Sequence, residues 1–388
     1  MSQQRSADFD VAVIGGGVIG LTAAWRAAQR GRSVCVLERG ALGVGASHVA
    51  AGMLAPVSEA DPGELALLDL GLRSARAWPA FAAQLSEAAG IADDEAPLLH
   101  RCGALVVARD GDEALALERE LTLRQELGLE VQRLLPSAAR RLEPALAPTV
   151  RLALSVPGDH AADPRALVLA LAGAARQAGA VLRTGADVQR IVVRDARATG
   201  VALTSGETVA ARQVVVAAGA RSGGLEGLPA AARFPLRPVK GQLLRLRDPE
   251  GAGLVERIVR FEGGYLVPRG DGRYILGATM EERGFDTTVT AGALYELLRD
   301  AAELVPGVHE LIVEEMLAGL RPATPDNAPV LGRSDAVEGL VWATGHHRNG
   351  ILLAPVSADL VADALDGAPP PAPFSAARFA RVSEGATA

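Results

Sequence analysis

A short polar stretch near the end of the printed sequence concentrates side chains that could bind an anionic group. Residues 345–355 read GHHRNGILLAP, so two histidines, an arginine and an asparagine stand directly before a purely apolar run. This pattern predicts a polar loop over 345–350 and a buried helix that begins near Gly350. The free N–H groups at the start of a helix favour negative charge, and we therefore expect this segment to form part of a binding site.

Three glycines near the other end of the chain have the spacing of a dinucleotide-binding turn. Gly15, Gly17 and Gly20 follow the pattern G-x-G-x-x-G. The first glycine of this pattern allows a tight turn, the second lets the backbone approach a pyrophosphate, and the third lets the helix and strand pack closely. The N–H groups at the start of the following helix then attract the phosphates.

The elements that must position these glycines support the same interpretation. The sequence predicts an apolar strand over 9–14, a helix over 18–30 that stops at Gly31, and a second strand that ends at Glu38. A carboxylate at the end of the second strand can accept hydrogen bonds from ribose hydroxyls. This β-α-β unit predicts that the chain binds a dinucleotide.

The composition argues against several other classes of protein. The chain has 388 residues, of which 49% are hydrophobic, and this predicts more than one domain. A net charge of −7 argues against a nucleic-acid partner. The two cysteines, Cys35 and Cys102, lie far apart and the histidines lack metal-ligand spacing, so we expect no metal site. No apolar run reaches the length of about 18 residues that spans a membrane, and we expect a cytoplasmic protein with no membrane partner.

The rest of the chain alternates between segments typical of the nucleotide-binding unit and segments typical of a second sheet. Short strand-like runs separated by glycine-rich turns over 234–277 predict a mixed or antiparallel sheet. We predict an α/β protein in which a discontinuous, Rossmann-like domain is interleaved with an α+β substrate domain. The predicted nucleotide-binding segments are 1–88, 151–230 and 312–388, and the predicted substrate-domain segments are 89–150 and 231–311.

The glycine pattern serves both NAD and FAD, and the remaining sequence narrows the choice. The sequence contains no second G-x-G-x-x-G for a nicotinamide and no redox pair of cysteines. If the dinucleotide is FAD, we expect the substrate to reduce the flavin directly. The sequence therefore indicates an oxidase or a dehydrogenase of small molecules.

Several segments resemble, in the same order, motifs of the D-amino-acid oxidase superfamily. They are VAVIGGGVIGLTAAWRAAQRG, ERG followed by GASHVAAGMLAP, YLVPRGDGRYILGATM, GLRPATPDNAPVLG and GHHRNGILLAP. Within that superfamily the chain is most similar to the glycine oxidase branch, which is linked to thiazole formation in thiamine biosynthesis. The resemblance implies non-covalent FAD, and oxidation of glycine, sarcosine or small D-amino acids to an imine. The imine would yield glyoxylate and ammonia, while O2 becomes H2O2.

The same resemblance assigns four residues to the substrate site, and the polar C-terminal loop adds Arg348. Arg321 matches the arginine that holds the substrate carboxylate, and Tyr265 matches a tyrosine that hydrogen-bonds that carboxylate. Arg348 is expected to be a second positive group where substrate and flavin meet, which either contacts the substrate or mainly holds the loop. Met53 and Met280 match apolar positions that line the pocket. Hydride transfer from the α-carbon of a neutral amine requires no general base, so positioning supplies the catalysis.

The resemblance also implies which residues bind FAD. The backbone of Val188 is expected to meet the adenine, and residues 346–352 are expected to close over the isoalloxazine. The full set is Gly15, Gly17, Val18, Ile19, Gly20, Glu38, Arg39, Ala46, Ser47, Ala51, Gly52, Met53, Val188, His346, His347, Arg348, Asn349, Gly350, Ile351 and Leu352.

Partners and alternative functions follow from the same resemblance. It implies a homo-oligomer and leaves open the transfer of the imine to a thiazole synthase. The main alternative is a D-amino-acid or sarcosine oxidase, or a dehydrogenase with a different electron acceptor. A role in tRNA modification is disfavoured by the acidic charge, and a non-catalytic flavin-binding protein is disfavoured by the substrate clamp.

Overall fold

The computed structural model describes residues 7–91, 98–251 and 253–379. Its strands, in chain order, are β1 (Phe9–Ile14), β2 (Val34–Glu38), β3 (Met53–Leu54), β4 (Ala104–Ala108), β5 (Gln132–Leu134), β6 (Leu152–Val156), β7 (His160–Ala161), β8 (Val181–Thr184), β9 (Val188–Arg194), β10 (Arg197–Leu203), β11 (Thr208–Val216), β12 (Arg237–Arg247), β13 (Ile258–Phe261), β14 (Gly264–Pro268), β15 (Arg273–Gly277), β16 (Ile312–Ala323), β17 (Val330–Arg333) and β18 (Leu340–Thr344). Its helices are α1 (Val18–Gln29), α2 (Ala46–Val49), α3 (Leu65–Ala89), α4 (Gly111–Glu126), α5 (Pro136–Leu142), α6 (Pro164–Gln177), α7 (Ala291–Leu304) and α8 (Ala354–Leu365).

The first sheet has the strand order β17-β18-β11-β1-β2-β8. The strands from β18 to β8 are parallel, and β9 and β10 form an antiparallel ribbon on the first half of β11. Helices α1, α3, α6 and α8 pack together beside this sheet, and their core includes Trp25, Trp78 and Phe81. Because the strands are parallel, the turns after β1 and β2 open at the same edge of the sheet.

The second sheet has the strand order β16-β12-β15-β14-β13-β4-β6-β5. Its neighbouring strands are antiparallel except for β13 and β4, which are parallel. Helix α7 covers one face with Leu297 and Leu304, which pack against Leu244 and Leu276. A largely parallel first sheet and a mixed second sheet confirm the predicted α/β class.

Two strands lie in a different sheet from the one that the predicted boundaries imply. The boundaries at 151 and 312 assign β6 and β16 to the nucleotide-binding segments, but the structure places both strands in the second sheet. The physical reason is pairing: β16 pairs with β12 from Arg237 to Arg247, with one register shift after Arg245, and β6 pairs along the whole of β4. The second sheet therefore contains more of the chain than predicted.

The last helix begins later than the sequence pattern predicted. Helix α8 starts at Ala354 instead of near Gly350, because residues 350–353 form turns. The N–H of Leu353 donates to the carbonyl of Asn349 at 2.8 Å, and Pro355 occupies the first turn of the helix, where its missing N–H has no cost. None of the helices in the described part of the chain has the length and apolar character that a membrane span requires.

Candidate active site

A single large cavity is lined by both sheets and by the polar C-terminal loop. Its volume is about 1620 Å³. The glycine turn after β1 and Val188 of β9 line one part, and Tyr265, Arg321 and Arg348 line another. The cavity therefore brings together the predicted cofactor residues and the predicted substrate residues.

The three glycines of the turn after β1 have different structural requirements. Gly15 has a φ of +107°, and a Cβ there would lie 2.4 Å from the carbonyl oxygen of Ala217. A Cβ on Gly20 would lie 2.0 Å from the carbonyl oxygen of Gly15, so this glycine allows close packing of α1. A Cβ on Gly17 would meet only the hydroxyl of Ser47, at 3.2 Å. Gly17 thus leaves room for a phosphate beside the start of the helix.

Two side chains orient the backbone of this turn. The hydroxyl of Ser47 accepts a hydrogen bond from the N–H of Val18 at 3.0 Å. The Glu38 carboxylate accepts from the N–H groups of Gly16, at 2.7 Å, and Gly40, at 2.9 Å. Each carboxylate oxygen keeps a further lone pair for a ribose hydroxyl. The glycine turn, the helix start and this carboxylate fit a dinucleotide such as FAD.

Most of the predicted cofactor residues line the cavity, but three do not. Gly20, Asn349 and Leu352 lie outside its wall. The carbonyl of Leu352 accepts hydrogen bonds from the Ser74 hydroxyl at 2.6 Å and the Trp78 indole at 2.8 Å. Leu352 therefore anchors the C-terminal loop to α3. The predicted cofactor residues that do line the cavity are Gly15, Gly17, Val18, Ile19, Glu38, Arg39, Ala46, Ser47, Ala51, Gly52, Met53, Val188, His346, His347, Arg348, Gly350 and Ile351.

The two histidines of the C-terminal loop are buried and uncharged. The ring of His346 hydrogen-bonds the Ser357 hydroxyl at 2.9 Å, and burial lowers its pKa to about 3. Burial also lowers the pKa of His347 to about 3, helped by repulsion from Arg348 and Arg321. His347 has a φ of +46°, and its N–H donates to the carbonyl of Pro322 at 2.8 Å. The loop thus contributes neutral imidazoles to the site.

Arg321 and Tyr265 lie on the same face of the second sheet. Through Gly277 of β15, Tyr265 of β14 is aligned with Leu243 of β12. Arg321 of β16 is opposite Val239, four residues before Leu243 on the same strand β12. Since alternate residues of a strand share a face, the register places both side chains on the face that lines the cavity. Burial raises the pKa of Tyr265, and the neighbouring Arg321 opposes that shift.

The Arg321 guanidinium binds backbone carbonyls and carries an uncompensated charge. Its Nη1 donates to the carbonyls of Thr279, at 3.0 Å, and Lys240, at 3.4 Å. Within the described residues, no carboxylate lies within 4.0 Å of it. A Cβ on Gly241 would lie 2.4 Å from its Nη1, so the absence of a side chain at Gly241 provides its space. This half-buried cation is available to an anionic ligand.

Arg348 is not free in the same way. Its Nη2 donates to the Glu64 carboxylate at 2.8 Å, and its Nε lies 3.5 Å from the Glu59 carboxylate. The sequence pattern predicts a second positive group beside Arg321. The structure places Arg348 in the same cavity wall but neutralises its charge with two carboxylates.

The remaining predicted substrate residues mark the border of the cavity. Met53 of β3 is half-buried, whereas Met280 is 66% exposed and therefore lies at the mouth. Gly263, which also lines the cavity, has a φ of +85°, which strains any L side chain placed there. In the part of the chain that the structure covers, no cluster of three potential metal ligands occurs.

Four contributors to this site were missed by the sequence analysis: Glu59, Glu64, Gly241 and the buried Lys240. Glu59 stands six residues after Met53 in a predicted cofactor segment, and this proximity was its only signal. Gly241 follows the one lysine of the chain in the segment KGQLLRL. Their roles depend on contacts with distant residues.

Comparison with known proteins decides the family. The model of the family "FAD dependent oxidoreductase" matches residues 10–364. The chain belongs to this family. The fit of the glycine turn to a dinucleotide is therefore a fit to FAD, which is the cofactor, and the prediction of FAD is confirmed. The residues that line the cavity all lie within this matched range.

Members of the family with similar sequences and structures include glycine oxidases. The chain is 37% identical to the glycine oxidase of Geobacillus kaustophilus over 92% of this chain and 93% of that protein. The crystal structure of glycine oxidase from the same organism matches with a TM-score of 0.85, covering 95% of this chain and 98% of that one. The protein is thus an FAD-dependent oxidoreductase of the glycine oxidase type, as the resemblance implied.

Two further relatives bear on partners and substrates. A bifunctional protein ThiO/ThiG of Trichormus variabilis is 36% identical over 91% of this chain, which spans 52% of that protein. The crystal structure of iminodiacetate oxidase from Chelativorans sp. matches with a TM-score of 0.82 at 29% identity, covering 94% of this chain and 98% of that one.

Proposed function

We propose that the protein oxidises glycine, and with it sarcosine or small D-amino acids, to the imine. The imine hydrolyses to glyoxylate and ammonia, and O2 is reduced to H2O2. The similarity to glycine oxidases supports the choice of substrate. The single observation that carries the proposal is the uncompensated guanidinium of Arg321 beside Tyr265, in the wall of a cavity that also contains the FAD-binding turn.

In this proposal Arg321 binds the substrate carboxylate. A planar guanidinium can donate to both oxygens of a carboxylate, and Gly241 keeps its approach open. Tyr265 donates its hydroxyl proton to the same carboxylate, because burial raises the pKa of Tyr265 and keeps it protonated. These two contacts fix one end of the substrate and orient its α-carbon.

Bound FAD would supply the two-electron acceptor for the hydride of the α-carbon. The chain contributes orientation and the exclusion of water, and no side chain has to remove a proton from carbon. The neutral His346 and His347 agree with this requirement, because they add no charge beside the substrate amine. Met53 in the wall, with Met280 at the mouth, limits the space for a side chain on the substrate, which favours glycine.

Non-covalent attachment of FAD agrees with the positions of the cysteines. Cys35 and Cys102 do not line the cavity, and burial raises the pKa of each to about 11. Acid precipitation should therefore release the flavin into the supernatant. Flavin that stays with the precipitated protein would contradict non-covalent binding.

We further propose that the protein acts in the thiazole branch of thiamine biosynthesis as a homo-oligomer. The bifunctional relative of Trichormus variabilis supports an association with a thiazole synthase. Transfer of the imine is testable by adding a thiazole synthase and measuring glyoxylate. Glyoxylate release that the synthase does not lower would argue against transfer, and light scattering of the purified protein would give its oligomeric state.

The decisive experiment is anaerobic addition of glycine to the purified holoenzyme. We expect the absorption band of oxidised flavin to disappear, and oxygen consumption to follow when air is admitted. Bleaching without oxygen consumption would favour a dehydrogenase with another acceptor. Comparison of glycine, sarcosine and D-proline would rank the substrates, and no bleaching by any of them would overturn the proposal.

A further inference from the structure

Two carboxylates beside the cavity have no role in the reaction proposed above. Glu59 and Glu64 flank the guanidinium of Arg348, at 3.5 Å from Nε and 2.8 Å from Nη2. The three side chains are 15%, 13% and 24% exposed, respectively. Charges that are this far removed from water interact strongly, and one cation with two carboxylates leaves the cluster with a formal charge of −1.

The position of Glu59 is determined by a buried hydrogen-bond network. Asp159 is fully buried, and its carboxylate accepts from the N–H groups of Val57, at 3.2 Å, and Ser58, at 2.8 Å. From the other side, the guanidinium of Arg124 donates to the carbonyls of the same two residues at 2.9 and 2.8 Å. The turn that carries Glu59 is thus held independently of Arg348.

Glu64 is held independently as well. It stands directly before α3, and its carboxylate accepts from the side-chain amide of Asn327 at 2.8 Å. Its second oxygen accepts from Arg348. Because the turn that carries Glu59 and the carboxylate of Glu64 are both held by other contacts, the pairing with Arg348 is part of the fold and not a contact between mobile surface side chains.

We propose that Glu59 and Glu64 determine substrate specificity by neutralising Arg348. As a result, the substrate site selects amines with one carboxylate over amines with two. This inference rests on the proposed function, in which Arg321 binds the first carboxylate. A second carboxylate that reaches toward Arg348 meets a cluster that is already negative. Glu59 and Glu64 thus act as specificity determinants that need not touch a monocarboxylate substrate.

The test compares two ligands that differ by one charge and cannot be oxidised as amines. Methoxyacetate and oxydiacetate are ether analogues of sarcosine and iminodiacetate, and the second carries one more carboxylate. Their dissociation constants are measured with the holoenzyme from the change in the flavin absorption spectrum. We expect wild-type protein to bind methoxyacetate at least about tenfold more tightly, because the negative cluster repels the second carboxylate of oxydiacetate.

The variant Glu59→Gln/Glu64→Gln should remove or reverse this preference, because Arg348 becomes available to the second carboxylate. The single variants should give intermediate ratios and guard against loss of folding in the double variant. Adding Arg348→Gln to the double variant should abolish the gain in oxydiacetate binding. The charge-matched control is Asp69→Asn, an exposed carboxylate on α3 that should leave the ratio unchanged.

Three results would overturn the inference: equal binding of both ligands to wild type, an unchanged ratio in the double variant, or a gain that survives Arg348→Gln. These measurements need bound flavin but no turnover. If glycine failed to bleach the flavin, the proposed function would be wrong, but the preference between the two ligands could still be measured. The two proposals can therefore fail separately.

Discussion

Arg321 and Arg348 line the same cavity, but carboxylates compensate the charge of Arg348 and not that of Arg321. Arg321 donates to backbone carbonyls of Thr279 and Lys240, which leaves its positive charge uncompensated. Arg348 forms ion pairs with Glu59 and Glu64. The difference shows that a residue type and a place in the cavity do not by themselves define a carboxylate-binding site. The groups that already surround the guanidinium decide its role.

The largest expected effect is that of Arg321→Gln. Truncating one partner of a desolvated charge pair costs about 2–5 kcal/mol, so kcat/KM for glycine should fall by about 10³-fold. Flavin content should stay at the wild-type level, measured by absorption. The control is Arg212→Gln, because that side chain is 72% exposed. A small effect of Arg321→Gln would make Arg348 the carboxylate-binding residue.

A smaller effect on the same arginine is expected from Gly241→Ala. The new Cβ would lie 2.4 Å from Nη1 of Arg321, so the flexible guanidinium must move while the strand keeps its place. Displacement by about 1 Å can cost about 10²-fold in rate, and the loss should appear mainly in KM. The control is Gly173→Ala, since a Cβ there meets nothing within 4 Å. Equal glycine kinetics in both variants would show that Arg321 does not need this space.

Arg348→Gln should have a moderate effect of a different kind. The substitution frees two carboxylates beside the cavity, and their repulsion of the substrate carboxylate should raise KM for glycine by about tenfold. Substrate use should suffer more than FAD binding. Combining it with Glu59→Gln should recover part of the loss. Loss of flavin with an unchanged KM would instead make Arg348 a cofactor residue.

The smallest effect is expected in the pH dependence of kcat/KM and concerns His347, which lies near both arginines. Burial lowers the pKa of His347 to about 3, so between pH 5 and 9 it adds no charge beside Arg321 or Arg348. The pH profile of kcat/KM should rise with deprotonation of the substrate amine. It should show no inflection from His347. If the kcat/KM profile of the wild type had an inflection near pH 6.5 that disappeared in His347→Gln, this histidine would be charged below that pH, which would contradict the prediction.

The same pKa values set the direction of acid destabilisation. An unfolded histidine takes up a proton below about pH 6.5, whereas His346 and His347 in the folded protein do so only near pH 3. Stability should therefore fall as the pH drops below 6.5. Burial raises the pKa of Asp159 to about 6, which acts in the opposite direction between pH 6 and 4. His347→Gln should reduce the fall in unfolding temperature between pH 7 and 5.

Local features of this fold could be predicted from the sequence, and long-range pairings could not. The strand, turn and helix around Gly15 follow from neighbouring residues, and the helix start at Asp163 and Pro164 follows from a local capping pattern. Arg348, in contrast, meets Glu64 across 284 positions and Glu59 across 289. No pattern in one sequence connects residues at that separation.

The placement of β16 and the start of α8 differ from expectation for different reasons. The strand β16 has the composition of either sheet, and only its pairing with β12 decides where it lies. The apolar run after Gly350 predicts an early start of α8, whereas Pro355 in the first turn is a local signal for the later start. A proline in the first turn was thus more informative than the hydrophobicity of the preceding residues.

Lys240 has a consequence for the chemical handling of this protein. It is the one lysine of the chain, it is 1% exposed, and its ammonium lies 2.8 Å from Asp286. Reagents that couple to ε-amines, such as activated esters and dialdehydes, therefore find no lysine to modify on its surface. The proposed product glyoxylate is itself an aldehyde that condenses with amines. A surface without lysine offers this aldehyde no ε-amine with which to condense.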